Sequence, residues 1–471
     1  MQALEKSMIY HLYIRLTLWL RSQWESSRVV GWLTGQKAPV MGMFARLGGQ
    51  LRTGLVRVFH LLRLDKLLTG SIFLHPMIFA AAAILLAPVC PTMVCLGLAA
   101  ASLGSLVLYL GAKPELRRQT DPLRRYIVLY AAVYLYATAF SVSRSGSLFP
   151  GLLTALFVLF SLVPAACAPS DQQLRRLLGG MVLVGALVSL YGFYQKMFPA
   201  SFRSVWTDED MFSSISFRVY STLENPNVLG EYFLLLIPLG AAMTLTAKSR
   251  WQQLFYLAAS GLMGLCLILT YSRGCYLGLL FAAAMFLVLL DRRFLVLGII
   301  AVALSPLYLP ESVFSRFTSI GNMGDTSTSY RVYIWMGTIA MLKDYWFCGV
   351  GPGADAFNQV YPEYAYNAIT APHSHNLFLQ IMCDAGVCGL LVFVVLLVVY
   401  YRMMFTALAQ KPRREVKILQ IANISAVTGF LVQSMTDYSF YNYRVLLLFW
   451  VTLGLGVLFA RMGKEPREVA P

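Results

Sequence analysis

The sequence predicts an all-α integral membrane protein with about twelve spanning helices, and three observations carry that prediction. Of 471 residues, 58% are hydrophobic and only 13% are charged, whereas soluble domains are roughly a quarter charged. The apolar residues come in long runs. About twenty such residues cross a bilayer as a helix, the form in which every backbone group finds a partner inside lipid. The basic residues also alternate between segments as a polytopic chain requires.

The runs lie near 70–88, 92–112, 126–142, 148–167, 177–198, 227–247, 252–271, 274–290, 294–309, 375–401, 416–436 and 444–460. Residues 1–66 differ. Arg and Lys mix there with Trp, Leu and Tyr, as in YHLYIRLTLWLRSQW, which predicts a basic, interfacial amphipathic segment. A signal peptide is not predicted, because no small-residue cleavage site follows a clean apolar core. A polytopic domain then covers 67–461 and a short tail covers 462–471.

Charge sets the orientation. With the N-terminus inside and the runs alternating, 29 of the 38 Lys and Arg fall on the inner side, and the C-terminus is inside as well. The expected location is a cell (inner or cytoplasmic) membrane, crossed many times. The net charge of +16 reads as topology and as contact with anionic membrane lipids. Nucleic-acid binding is not expected, because no basic patch interleaves with aromatics in a soluble domain. The eight cysteines show neither metal spacing nor a disulfide framework.

Two outside loops have real length, about 199–226 and, between the ninth and tenth helices, about 310–373. Nine basic residues lie on the outer side against the topological preference: Arg144, Lys196, Arg203, Arg218, Arg273, Arg316, Arg331, Lys343 and Arg444. Three have distinctive surroundings. Arg218 lies in FRVYSTLENPNVLGEY, Arg273 in TYSRGCYLGL at a tight turn, and Arg331 in SYRVYIW. Guanidinium pairs bidentately with phosphate oxygens and stays charged when partly desolvated, so three converging arginines would suit a diphosphate.

Two of the five histidines, His373 and His375, are packed into APHSHNLFLQ where the long loop meets a helix. A His-X-His at a water-facing helix start is a candidate general base, since imidazole titrates near neutral pH. A structural hydrogen-bonding role is the competing reading, and no third metal ligand is apparent nearby. Asp208 and Asp210 could hold a divalent cation beside a diphosphate, but a solvated loop explains them as well. Gly349, Gly351 and Gly353 in CGVGPGADAF are read as a structural turn, because Pro352 interrupts the run and no Gly-Lys-Ser/Thr follows.

Four stretches together resemble the O-antigen ligase and O-antigen polymerase family of membrane glycosyltransferases. They are FRVYSTLENPNVLGEYFLLLIPL, LTYSRGCYLGL, SYRVYIWMGTIAMLKDYWFCGVGPGADAF and HSHNLFLQIMCDAGVCGL. In the last, His375, Asn376, Gly386 and Gly389 match the family's spacing of His, a small polar residue, nine residues, Gly, two residues and a fourth position. The likeness covers roughly 180–400, and the basic segment 1–66 is outside it.

The resemblance implies a GT-C-like transferase that moves a glycan from an undecaprenyl-diphosphate carrier to a hydroxyl of a saccharide, a lipid core or a protein. It implies a site facing the periplasm or cell exterior, with no cofactor and no metal. Arg218 and Arg273 would hold the diphosphate with help from Arg331, and His375 would accept the hydroxyl proton. His373, Asn376 and Tyr271 would support the acceptor. A ligase, a polymerase and an O-linked oligosaccharyltransferase of proteins all fit these residues. A secondary transporter is the distant alternative, disfavoured because the notable charges cluster outside and no inverted repeat is visible.

Overall fold

A computed structural model describes residues 75–112, 122–167, 169–202, 217–291, 293–304, 307, 310–318 and 326–463, with Gly54 and Arg57. But for those two positions, the basic segment predicted over 1–66 lies outside the described residues, as do Arg203, Asp208, Glu209 and Asp210. The chain divides into two units, 1–67 and 68–471, and every element below belongs to the second.

Among the described residues all regular structure is helical. In chain order the helices are α1 (Pro76–Leu86), α2 (Thr92–Ala112), α3 (Pro122–Ala139), α4 (Arg144–Phe160), α5 (Leu162–Cys167), α6 (Asp171–Met197), α7 (Pro226–Leu245) and α8 (Arg250–Ile268). There follow α9 (Arg273–Asp291), α10 (Arg293–Ala303), α11 (Glu311–Thr318), α12 (Thr326–Tyr345), α13 (Ala354–Val360), α14 (Leu377–Ala409), α15 (Arg414–Gln433) and α16 (Tyr443–Met462).

Nine spans among the described residues are long and apolar enough to cross a membrane: α2, α4 continued by α5, α6, α7, α8, α9, α14, α15 and α16. The chain is an integral membrane protein. Each of the twelve apolar runs read from the sequence coincides with a helix. The three beyond the nine are α1 and α10, of 11 residues each, and α3, which opens on Pro-Leu-Arg-Arg.

Local chemistry sets where helices start. Three of them begin on an asparagine cap whose side chain accepts from backbone N–H groups of the first turn: Asn225 for α7, Asn376 for α14 and Asn442 for α16. These side chains satisfy donors that a helix start otherwise leaves without partners. At α7, Pro226 follows the cap, where its missing N–H costs nothing. α6 opens on a reciprocal box between Ser170 and Gln173.

The bundle is centred on α7, α15 and α16, the most buried spans. Their core is aromatic: Trp450 packs on Tyr130 and Phe449, and Phe430 stacks on Phe449 at 4.8 Å. Buried polar groups pair across helices. Asn423 accepts from the Tyr400 hydroxyl at 2.6 Å and donates to the Thr452 carbonyl. α9 crosses α15 where Gly278 and Gly429 face each other, each with the other's backbone where a Cβ would stand. At one end of the bundle Arg175 pairs with Glu415 and Arg413 with Asp171. The opposite end is rich in loops.

A second, smaller core lies at that loop-rich end, where Ile334, Met341, Val350, Phe357 and Tyr361 pack together with Cys383 of α14. The predicted loop of 310–373 is therefore a folded cap carrying α11, α12 and α13. It is fastened through a break in α14, whose backbone leaves helical geometry at Ala385 and Gly386. The groups freed by the break are taken up by the glycine-rich turn. Val350 N–H donates to the Cys383 carbonyl at 2.6 Å, and Val387 N–H donates to the Trp346 carbonyl at 2.8 Å. Irregular backbone at such depth is stable only when paired in this way. Gly386 has φ +63°, and a Cβ there would overlap the Phe347 carbonyl oxygen.

Gly386→Ala is therefore expected to destabilise the protein by at least about 2 kcal/mol, through left-handed strain and lost docking. Gly261→Ala, where a Cβ would meet nothing within 4 Å, should leave stability unchanged or slightly raised. Thermal unfolding of the detergent-purified variants measures both, and equal melting of Gly386→Ala and wild type would contradict the docking.

Candidate functional site

Four loop-rich segments converge beneath the cap: the strand-like stretch before α7, the turn between α8 and α9, the cap's return into α14, and the link between α15 and α16. Each contributes a polar group. The centre is Asp437, in the short α15–α16 link. His375 Nδ1 lies 3.0 Å from Asp437 Oδ1. Asn227 Nδ2 donates to Asp437 Oδ2 at 2.9 Å. Arg218 Nη2 donates to Asn227 Oδ1 at 3.1 Å, and its Nε donates to the Thr270 carbonyl at 2.8 Å. Arginine, amide, carboxylate and imidazole thus form one chain of hydrogen bonds.

Two adjoining cavities share this chain as their common wall. The larger, of about 800 Å³, is lined by His373, His375, Asp384, Tyr438 and Tyr441. The smaller, of about 370 Å³, is lined by Tyr271, Arg273, Arg316 and Trp335. Arg218, Asn227, Ser327, Arg331 and Asp437 face both. The structure therefore brings Arg218, Arg331, His373 and His375 to one chamber, and Arg273 and Tyr271 to the pocket next to it. Arg331 Nη1 donates to the carbonyl and hydroxyl of Ser327, while its buried Nε has no hydrogen-bond partner. Tyr271 has φ +50° in the α8–α9 turn, and Lys196 lies over its ring. Asn376 lines neither cavity. Its side chain caps α14 and donates to the Met435 carbonyl.

The two histidines have different surroundings. His373 is buried and stacked on Tyr441, with ring centroids 5.0 Å apart. Its Nδ1 accepts from the His375 N–H. Burial, then the neighbouring His375, pushes its pKa down to about 3, so it is neutral near pH 7. His375 is partly exposed and sits at φ +48°, an uncommon backbone state for a residue with a Cβ. The Trp335 indole N–H holds its carbonyl.

Burial alone would raise the Asp437 carboxyl. The hydrogen bond from His375, with the electrostatic influence of His375 and Arg331 beside it, outweighs burial and holds the group below the usual carboxylate range. As a carboxylate, Asp437 can only accept, so His375 donates from Nδ1, and in the neutral ring Nε2 then carries the lone pair. Burial, then repulsion from Arg316, brings Arg218 down to about 9, still high enough to keep it cationic near pH 7.

Among the described residues, His373, His375 and Asp437 form the one group that could hold a metal, with ligand atoms within 4.8 Å of one another. His373 Nδ1, His375 Nδ1 and Asp437 Oδ1 are already engaged with one another or with the backbone. Arg218 and Arg331 add positive charge on the same wall. The donor set thus favours an anion beside it over a cation.

Sequence reasoning passed over four residues that line these cavities. Asp437 is the sole acid in the α15–α16 link, and an acid there, unlike a base, does not oppose the topological charge preference. Arg316 was among those but lay in no distinctive motif. Asn227 was read as part of a motif, and Asp384 as part of an apolar run.

The buried pair has a consequence for pH. His373 is depressed below its unfolded value of about 6.5, and Asp437 below its own, so both contribute stability that is present above those values and lost in acid. Thermal stability is expected to fall as pH drops from about 6.5 toward about 3, and His373→Gln should flatten the upper part of that fall. Identical pH profiles for variant and wild type would show that His373 is not buried in its neutral form.

A comparison with curated proteins finds no match. Residues 258–394 match the family model described as O-antigen ligase. The matched segment holds Arg273, Arg316, Arg331, His373, His375 and Asp384, while Arg218 and Asp437 lie outside it. Over residues 258–394 the chain is similar to the O-antigen ligase family.

Proposed function

We propose that this protein transfers a glycan from an undecaprenyl-diphosphate carrier to an acceptor hydroxyl on the outer side of a cell membrane, as an O-antigen ligase-like surface-polysaccharide ligase. The observation that carries the proposal is the hydrogen-bonded chain from Arg218 through Asn227 and Asp437 to His375. It joins a cationic pocket to a base in one rigid wall. The smaller cavity, with Arg273, Arg316, Arg331 and Arg218 around it, suits the diphosphate. Arginines there neutralise the charge that develops as the glycosidic carbon–oxygen bond breaks. The diphosphate leaves with the bonding electron pair and needs no acid.

The acceptor hydroxyl is a weak nucleophile, and His375 Nε2 takes its proton as the new bond forms. Asp437 holds the ring in the tautomer that leaves Nε2 basic and stabilises the imidazolium that results. His373, neutral and with Nδ1 occupied, positions the backbone of His375. Asn376 supports the site by fixing the start of α14, and Tyr271 shapes the diphosphate pocket. No step requires a metal, a cofactor or a nucleotide. Whether the acceptor is a lipid-linked core, another repeat unit or a protein Ser or Thr separates ligase, polymerase and oligosaccharyltransferase.

The test is in-vitro transfer by the purified protein from an undecaprenyl-diphosphate glycan, offered saccharide, lipid-core and peptide acceptors. His375→Ala should lower transfer by about 10²–10⁴-fold with membrane insertion intact, and wild-type rates would remove the base assignment. Arg218→Lys, which keeps the charge and loses the planar fork, should cost about tenfold or more. Transfer should persist in EDTA. Metal-dependent transfer would instead make His373, His375 and Asp437 a ligand set.

A further inference from the structure

The larger chamber contains a carboxylate that the proposed chemistry does not use. Asp384 lies on α14 in the half of the chain's long helix that precedes the break, 1% exposed and lining the chamber. Its Oδ1 accepts from Gln380 Nε2 at 2.9 Å. Its Oδ2 is held only by the hydroxyls of Tyr134 and Tyr438, both at 3.3 Å. Hydroxyl donors to a carboxylate normally approach to about 2.5–2.7 Å. One oxygen is therefore tightly paired, and the other has two long contacts that a closer hydroxyl could replace.

Its position relative to the arginines gives this a direction. Arg273 and Arg316 line only the smaller cavity, and Asp384, Tyr438 and Tyr441 only the larger. Arg218, Arg331 and Asp437 stand between them. In a direct displacement, nucleophile and leaving group lie on opposite sides of the reacting carbon. A diphosphate that departs into the arginine pocket leaves the acceptor to enter from the larger chamber. Tyr438 spans that chamber's wall, with its N–H donating to Asp437 at 2.9 Å and its hydroxyl to Asp384. The carboxylate beside the base and Asp384 are thus held by one residue, the first by its backbone N–H and the second by its hydroxyl. Around them Tyr330, Phe440, Tyr441 and Tyr443 supply aromatic faces. Apolar and aromatic walls with a few fixed polar groups orient a ligand, and the C–H faces and hydroxyls of a sugar match both.

Resting on the function proposed above, we infer that the Asp384 end of the chamber is the acceptor subsite, that the acceptor is a saccharide, and that Asp384 is a specificity-determining residue whose Oδ2 accepts a hydrogen bond from an acceptor hydroxyl other than the attacking one. Gln380 acts as its positioning residue. Its Nε2 orients Asp384, and its Oε1 accepts from the Ser374 N–H at 2.7 Å, which sets the acceptor carboxylate and the His375 turn in one register.

The experiment is steady-state transfer by the full-length protein from undecaprenyl-diphosphate glycan to an oligosaccharide acceptor and its singly deoxygenated analogues. In wild type one deoxy analogue should show an acceptor KM raised about tenfold, the loss of a hydrogen bond to a charged group. Asp384→Asn should raise KM for the parent acceptor by a similar factor, with kcat and donor KM nearly constant, and that deoxy analogue should then suffer no further loss. An unchanged acceptor KM in Asp384→Asn, or a full additional tenfold loss for the analogue, would overturn the subsite. If Asp384→Asn does not fold, Tyr438→Phe removes one of the two long contacts and leaves the acid. Acceptor KM should then shift while donor KM does not, and constancy of both would be equally fatal. A wild-type protein that transfers to no acceptor refutes the function itself. Transfer to peptide hydroxyls alone refutes only the saccharide subsite.

Discussion

The site depends on Asp437. A carboxylate this buried is expensive unless its lone pairs are engaged, and here three donors engage them: His375, Asn227 and the Tyr438 N–H. Those donors come from the start of α14, the start of α7 and the α15–α16 link, so one anion fixes the relative position of three spanning helices. In the function proposed here, the same pairing also governs the chemistry. It sets the His375 tautomer, and through Asn227 it orients Arg218. The Asp437 carboxylate offsets part of the positive charge that Arg218 and Arg331 bring to this wall. With it, the wall is still cationic overall and ready for an anion.

The helix break in α14 is the mechanical counterpart of that pairing. A continuous helix from Leu377 to Ala409 would leave the cap without its backbone bonds to α14. Interrupting the ladder at Ala385 and Gly386 exposes a carbonyl and an N–H that the glycine-rich turn then pairs. The turn itself sits against α3 and α4. Val142 N–H and the Ser141 hydroxyl both donate to the Val350 carbonyl at 3.0 Å. The cap in turn carries α12, and α12 carries Arg331 and Trp335 to the site. A break at Ala385 and Gly386 in the middle of an apolar run thus helps decide where an arginine of the cap stands.

The helices were legible in the sequence because lipid leaves few choices. Long apolar runs marked the helices, and nine of the twelve runs fall on spans long and apolar enough to cross a membrane among the described residues, α1 and α10 being short and α3 opening on two arginines. Several of the residues that line the two cavities were legible too. Arg218, Arg273, Arg331 and the two histidines stood out as charge placed against the topological preference or as a local motif. What was illegible was pairing across sequence distance. Asp437 lies 62 residues from His375 and 210 from Asn227, and a single acid in a short link carries no local pattern. Asp384 was hidden for the opposite reason, because its neighbours read as a membrane helix. Asn376 sits in the same motif as His375, yet its side chain is turned to the backbone as a cap, a distinction that spacing alone does not make.

The most direct test of single displacement from a diphosphate, with His375 as base, is the anomeric configuration of the new glycosidic bond, read by NMR on product made from a donor of defined configuration. Direct attack by the acceptor hydroxyl predicts inversion. Retention would mean two successive displacements through a covalent glycosyl intermediate, and it would contradict the roles given to His375 and the arginine pocket.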